Sequence, residues 1–407
     1  MTHVALIGGP RPMHAAVLAR ARVTLVERRS RADTADLRAG HARLLVVDDE
    51  ERPETVAALV AAVHAADPVE AVVCLHDEEQ LVASVVAAHL GLPFLDAQPV
   101  LLSRDKARMR ERLRECGVED IASAPVTGLD ALRGFGARVG YPVIVKPLEG
   151  QGSLHVTEIV SEEAAVAHWP ALSEPGLPLV AEERLRGPEI SVECVSEAGR
   201  HRLVAITGKT IDPASFVELG HVVPAPLGPA FAPHVFAHVQ RVLDALGITD
   251  GPSHTEVILT ERGPRTVETH TRVGGDGIAR LVELATDLPF VDLVVRQALG
   301  ERVLDEIKPF EDAPRAAALR FAFAPATGRV TRISGIDEAR AVEGVVDVTV
   351  RAAVGERVER RRHHAWRPVA VTALGADSDE AVRRAEAALD RVHIEVEPEP
   401  RLGPAAG

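Results

Sequence analysis

The chain has 407 residues, more than a single hydrophobic core usually supports, so two or three domains are expected. Its 46% hydrophobic and 26% charged composition is that of an ordinary soluble globular protein, and 60 acidic against 46 basic residues leave a net charge of −14, which argues against a general nucleic-acid binder and for small-molecule partners. Three cysteines, Cys74, Cys116 and Cys194, with no CxxC spacing, support neither a disulfide framework nor a thiolate zinc site.

The opening MTHVALIGG enters a strand-like run without the basic and long apolar regions of a signal peptide, and no apolar stretch reaches membrane-spanning length. The expectation is a cytoplasmic protein, monomer or homodimer, with neither membrane nor nucleic acid among its partners. Over the first hundred residues, short β-branched or leucine-rich runs alternate with alanine-rich helical ones: Val4–Ile7 then Met13–Ala21, Val23–Val26, Leu44–Val47 then Glu54–Ala66, Ala71–Leu75 then Glu78–Leu90. This order predicts a parallel sheet wrapped by helices. ALIGGPRP lacks the GxGxxG spacing, so Gly8-Gly9-Pro10 indicates a tight turn after a strand and not a dinucleotide fingerprint. Proline and polar residues around 92–99 mark a domain boundary.

LSRDKARM, residues 102–109, predicts a helix start with Ser103 as N-cap, Met109, Leu113 and Cys116 on one face and Gly117 as the stop. Lys106 then falls in the first turn, where the helix dipole disfavours a cation by about 0.3–1 kcal/mol. A nearby anion would reverse that cost; a solvated lysine is the plain alternative. Further on, YPVIVKP reads as a strand ending in Lys146, followed by a glycine-bearing loop with Gly150, Gly152 and Ser153. Such a loop either turns a hairpin or closes over phosphates with backbone N–H groups beside one fixed charge, and without a following GK[ST] it is no Walker A loop. Two strand-like pieces then flank a connector with acids at Glu182 and Glu189, either surface charge or acceptors for an adenine amino group and ribose hydroxyls.

SHTEVILT and RTVE, joined by ERGP, predict a hairpin that brings Glu256 and Glu268 together across antiparallel strands. Two neighbouring carboxylates repel unless a cation intervenes, and magnesium, which accepts hard oxygens and substrate phosphates, is the natural candidate. The plain alternative is a pair of solvated glutamates on one sheet face. From about residue 315 to 400 the runs ALRFAFAPATGRVTRISG and VVDVTVRAAVGERV and a helical stretch at 377–392 predict a small α+β domain. His363-His364 are adjacent and point apart on a strand, which favours a substrate-facing loop or plain surface over a metal doublet. The tail at 401–407 is expected to be disordered.

In this order, a lysine at a helix start, VKP, a glycine loop, EExLxGPE, paired glutamates and HTRxGG, the chain resembles the ATP-grasp superfamily of carboxylate–amine ligases, and among them the dipeptide-forming L-amino acid ligases. The resemblance implies an ATP-grasp fold of mixed α/β and α+β class: a Rossmann-like parallel α/β domain over 1–100, an ATP-grasp domain over 101–310 with a lid at about 125–205, and a C-terminal α+β domain over 311–400. It implies that Lys106 and Lys146 hold ATP phosphates, with Gly150, Gly152 and Ser153 closing over them. Glu182 and the backbone of Glu183 to Leu185 would meet adenine, Glu189 the ribose, and Glu256 and Glu268 the magnesium. Where the superfamily commonly has asparagine, this chain has His270, expected to ligate a second metal, to tolerate manganese, or to hydrogen-bond a phosphate. Arg272 would hold the transferring phosphate and the tetrahedral oxyanion, and Gly274-Gly275 would let backbone amides approach the substrate.

FVELGHVVP resembles a stretch of the dipeptide-forming ligases in which Glu218 would bind the substrate ammonium and His221 would sit by the reacting carboxylate, with Lys209 near the acyl phosphate. Asp276 stands where some of these ligases place a bulky aromatic, and would leave room for, and attract, a cationic side chain. The expected function is ATP-dependent joining of an amino acid or related carboxylate to an amine or amino acid through an acyl phosphate. The rivals are a bicarbonate-using carboxylase of the biotin carboxylase or purine-pathway type, and a nucleotide-binding protein without turnover.

Overall fold

The computed structural model describes residues 1–8, 11–32, 40–150, 152, 154–173, 177–228, 231–309, 313–360 and 366–399. Ser153, the His363-His364 pair and the tail at 401–407 lie outside the described residues. No helix among them is long and apolar enough to cross a membrane.

β1 (His3–Ile7), β2 (Arg22–Arg28), β3 (Arg43–Val47) and β4 (Ala71–Val73) form a parallel sheet in the order β3-β2-β1-β4. All five residues of β1 are buried, as a parallel sheet covered on both faces requires. Alternation divides them: Ala5 and Ile7 join Val56, Val60, Val82 and Val86 from the helices Pro53–Ala66 and Gln80–Leu90. Val4 and Leu6 face the opposite way, into a core completed by Leu281 and Phe290 from the helices Ile278–Thr286 and Phe290–Ala298. The first domain is thus fastened to a much later part of the chain.

β5 (Ser123–Val126), β6 (Val143–Pro147), β7 (Thr157–Ile159) and β8 (Leu179–Glu183) make a second, antiparallel sheet, ordered β5-β8-β6-β7 and backed by the helices Leu129–Val139 and Glu162–Leu172. This small sheet ends at Glu183. β9 (Glu189–Glu197) and β10 (Arg200–Ile211), although inside the span expected for the lid, belong to the next sheet. Gly187 lies in the crossing, where a Cβ would come within 2.0 Å of the Leu259 carbonyl and φ is +146°, so a side chain cannot be placed there.

The central sheet has eight strands. To β9 and β10 it adds β11 (Glu218–Val223), β12 (Gly251–Thr260), β13 (Gly263–His270) and β14 (Ala316–Ala322), and beyond them β16 (Val345–Val350) and β18 (Val369–Gly375), in the order β13-β12-β9-β10-β11-β14-β18-β16. β15 (Gly328–Ser334), β17 (Arg357–Val358) and β19 (His393–Pro398) form a separate three-stranded sheet. The C-terminal part is therefore continuous with the core: β14 pairs with β11 from Gly220↔Arg320 to Val223↔Ala317, and the helix Ser378–Leu389 packs its alanines on the extended sheet.

Candidate active site

The helix Lys106–Glu115 starts two residues later than its sequence suggests. Asp105 is the N-cap, its carboxylate accepting from the amides of Ala107 and Arg108, while Ser103 closes the preceding helix by donating to the Pro99 carbonyl. Lys106 and Arg110 share the buried face with Met109 and Leu113, so one helix turns two cations inward.

Those cations meet acids from two sheets and from the loop at Glu119. Lys106 Nζ lies 3.0 Å from Glu268 Oε2 and donates to the Gly150 carbonyl at 3.2 Å, tying the helix start to the glycine loop. Arg110 clasps Glu182 (Nε to Oε1, 2.7 Å) and also reaches Glu119 at 3.0 Å and the carbonyls of Thr266 and Val267. Lys146 Nζ stands 2.7 Å from the other oxygen of Glu182. Burial pushes the Lys146 ammonium below its ordinary value despite Glu182, whereas in Glu182 burial is outweighed by Arg110 and Lys146, leaving the carboxyl at about 2. Both oxygens of Glu182 are engaged by the chain's own cations, and the Glu183 amide donates to the Ala122 carbonyl. Beyond them Ile144, Leu185, Phe216, Ile258 and Val267 give the cleft apolar walls. The cleft encloses about 870 Å³, open solvent included, and runs from these walls past Lys106, Lys146, Gly150 and Gly152 to Glu256 and Glu268.

β12 and β13 pair in the predicted register, Glu256↔Glu268 and His254↔His270, with an irregularity between Glu256 and Val257. Each carboxylate meets a lysine and a histidine. Glu268 has Lys106 and, at 3.0 Å, His270 Nε2; Glu256 has Lys209 at 2.6 Å and His254 Nε2 at 3.5 Å. Burial raises both acids, but Lys209 for Glu256 and Lys106 for Glu268 outweigh it, so both stay ionised well below the ordinary range. Two ionised hard-oxygen donors on adjacent strands facing one cleft fit a magnesium ion that also takes phosphate oxygens.

The histidines are braced from behind. His270 Nδ1 lies 3.0 Å from Asp77, which comes from the loop after β4, and His254 Nδ1 lies 2.6 Å from Glu193 on β9. The two rings stack with centroids 6.0 Å apart. Both nitrogens of His270 thus face carboxylates, Asp77 and Glu268, an arrangement that orients Glu268 from the protein side. Glu193 has a second task, accepting from the Gly274 amide at 3.0 Å, and a Cβ on Gly274 would collide with Ile278 at 2.8 Å. Asp77, Glu193 and His254 were not foreseen; their only sequence signal is that polar residues occupy strand positions that a core would fill with apolar ones.

His270→Ala is expected to weaken divalent-metal affinity by about 10- to 100-fold while saturating metal restores most of kcat, read by metal titration of nucleotide binding. Loss of turnover that no metal concentration rescues would instead mark His270 as a direct ligand.

Lys209 also departs from expectation. Its ammonium, only 2% exposed, has three carboxylate partners, Glu256 at 2.6 Å, Glu189 at 2.9 Å and Glu218 at 3.2 Å. Burial opposes its charge, yet the three acids raise it well above the ordinary lysine value. With every donor engaged, it holds acids in place and is not aimed at an acyl phosphate. Glu189, Glu218 and Glu256 thereby converge from β9, β11 and β12. Arg272 is held beside Gly275, donating to the Val273 carbonyl at 2.8 Å, with Asp77 3.8 Å from its Nε.

His221 is fully buried, its Nε2 3.1 Å from Asp276 Oδ2 and its ring edge-on to Phe321. Asp276 is not the open carboxylate expected: Arg367, buried over the face of Phe321 at 3.8 Å, takes both its oxygens at 2.6 Å. A cationic substrate side chain would have to displace this pair. Glu218, His221 and Asp276 also bring three ligand atoms within 4.8 Å of one another, with both oxygens of Asp276 already held by Arg367.

This fold, with a glycine loop and inward lysines over a carboxylate hairpin, matches known families along most of the chain. An ATP-grasp domain family covers residues 139–280 and an ATP-grasp N-terminal domain family residues 13–94. The chain belongs to the ATP-grasp superfamily of ligases. Within that superfamily it resembles the L-amino acid ligases, whose C-terminal domain 2 family matches residues 320–397. The crystal structure of the L-amino acid ligase from Bacillus licheniformis superposes with a TM-score of 0.85 at 22% identity, covering 98% of this chain and 99% of that one. An uncharacterized protein of Sinorhizobium fredii is 28% identical over 75% of this chain, and alanine–anticapsin ligase of Bacillus subtilis is 26% identical over 46% of it. This chain covers 64% of the length of the former and 44% of the latter.

Proposed function

We propose that the chain is an ATP-dependent carboxylate–amine ligase that joins an amino acid or related carboxylate to an amine or amino acid, releasing ADP and phosphate. The observation that carries this reading is the convergence of Glu256 and Glu268, paired in register across a hairpin, with Lys106, Lys146 and the glycine loop on one cleft. A carboxylate is a poor electrophile at neutral pH. Its attack on the γ-phosphate of ATP makes an acyl phosphate, and an amine then displaces phosphate to leave an amide.

The work left to the protein is positioning and charge neutralisation, with no covalent nucleophile. Lys106 and Lys146 stand where a phosphate chain would lie along the cleft, and Gly150 and Gly152 bring backbone amides to it. Glu256 and Glu268 would hold magnesium, or manganese, which when bound neutralises charge on the phosphoryl oxygens. Arg272 and the Gly275 amide would serve the developing oxyanion, the Gly274 amide being taken by Glu193, and Glu218 would line the amino-acid side with His221 buried behind Asp276. His270, Asp77 and Glu193 keep the metal carboxylates and the glycine turn aligned.

ADP and phosphate release measured against single and paired amino acids, with and without bicarbonate, tests the proposal. Release that requires an amino acid pair supports it, release on bicarbonate alone would assign a carboxylase instead, and no release with any of them would leave only nucleotide binding.

A further inference from the structure

Two guanidiniums, Arg351 and Arg367, meet at Asp276 over one aromatic ring. Phe321 on β14 is sandwiched: the Arg367 guanidinium lies 3.8 Å and the Arg351 guanidinium 5.2 Å from its ring centre, with the His221 ring edge-on at 6.0 Å. Asp276 stands between the two guanidiniums; Arg367 occupies both its oxygens at 2.6 Å and also has Glu218 3.8 Å away. Arg351 comes no nearer to it than 3.9 Å, beyond hydrogen-bond reach, and its guanidinium makes no hydrogen bond among the described residues. It is not a loose surface arginine: its amide donates to the Pro368 carbonyl at 2.7 Å and its side chain is 38% exposed. Burial, with the neighbouring charge of Arg367, lowers its basicity, and Asp276 and Asp347 only partly offset this. A partly exposed guanidinium with unengaged donors, over the Phe321 ring and 3.9 Å from Asp276, is placed to take a planar anion.

We propose that Arg351 docks a carboxylate of the amino-acid substrate, so that this site selects substrates bearing a carboxylate beyond the one being activated. The inference rests on the ligase reading above. Two sources share the chemistry: an acidic side chain on the activated amino acid, or the α-carboxylate of the amino acid that supplies the amine. Asp276, neutralised by Arg367, then serves as the fixed wall that leaves Arg351 as the recognising group.

The test is calorimetric titration of the full chain, loaded with magnesium and a non-hydrolysable ATP analogue, with L-glutamate against L-glutamine and L-alanine against L-alaninamide, in wild type, R351Q and R351K. The expected result is an acid-over-amide preference of about 10- to 100-fold in one pair, erased in R351Q and partly kept in R351K. Preference in the glutamate pair assigns the side-chain carboxylate, and preference in the alanine pair the α-carboxylate. Equal preference in wild type and R351Q, or no binding of any of the four probes to wild type, overturns the proposal. Because binding is read without turnover, an Arg351-dependent preference accompanied by no ADP release in the amino-acid panel would sink the ligase reading and spare this one.

Discussion

Glu268→Gln is expected to lower kcat by about three orders of magnitude, some 4 kcal/mol of transition-state stabilisation, with little change in the unfolding midpoint. Glutamine keeps the shape and one acceptor for Lys106 or His270 but removes the charge that a divalent ion requires. Glu256→Gln should behave alike, because its partner across the register is Glu268 and the two carboxylates act as one site. Single-turnover ADP release, with calorimetry of magnesium-dependent nucleotide binding as the companion reading, checks this. Turnover within tenfold of wild type in either variant would refute the metal assignment.

Arg110→Ala is expected to cost about 3–5 kcal/mol of folding stability, read from urea unfolding. The side chain is only 1% exposed and touches Glu182, Glu119 and two carbonyls of β13, so its removal leaves two buried carboxylates short of a counter-charge. Lys146 would still compensate Glu182, but Glu119, whose carboxyl burial already raises against the pull of Arg110, has among the described residues no second lysine or arginine at hydrogen-bond distance, only His238 at 3.5 Å, which burial holds neutral. Arg110→Met with Glu119→Gln should recover much of the loss, since removing both charges avoids the desolvation that one unpaired charge suffers. A cost below about 1 kcal/mol for Arg110→Ala would mean that water reaches this cluster.

The sequence reveals what is local. Alternation of apolar runs located the first sheet, and a twelve-residue interval with a turn at Arg262-Gly263 located the hairpin register, since strand periodicity and turn chemistry act over a few residues. Lys106 and Arg110 were legible in principle as an i, i+4 pair on the apolar face of their helix, though only the lysine was read. What escaped is long-range. Asp77 meets His270 across 193 residues, Arg367 meets Asp276 across 91, and Glu193 meets His254 across 61. Nothing near an acid in sequence says which distant cation will neutralise it, so Asp276 and Lys209 read as open groups when the fold had already matched them. The continuity of the C-terminal strands with the central sheet escaped for the same reason, since β11 and β14 are nearly a hundred residues apart.

The two-sided burial of β1 has a bearing on biosynthesis. When the ribosome has released the first hundred residues, the face bearing Val4, Leu6, Val23 and Leu25 is covered only in part, by Val17 and Ala21, because the other helices that shield it begin only at Ile278. A nascent chain must carry that oily surface through the synthesis of some 180 further residues, which makes early emergence the moment of greatest exposure to misassembly and to chaperones. Asp77, on the loop after β4, has its partner His270 on β13, so that loop cannot reach its final contacts until the chain has grown past residue 270.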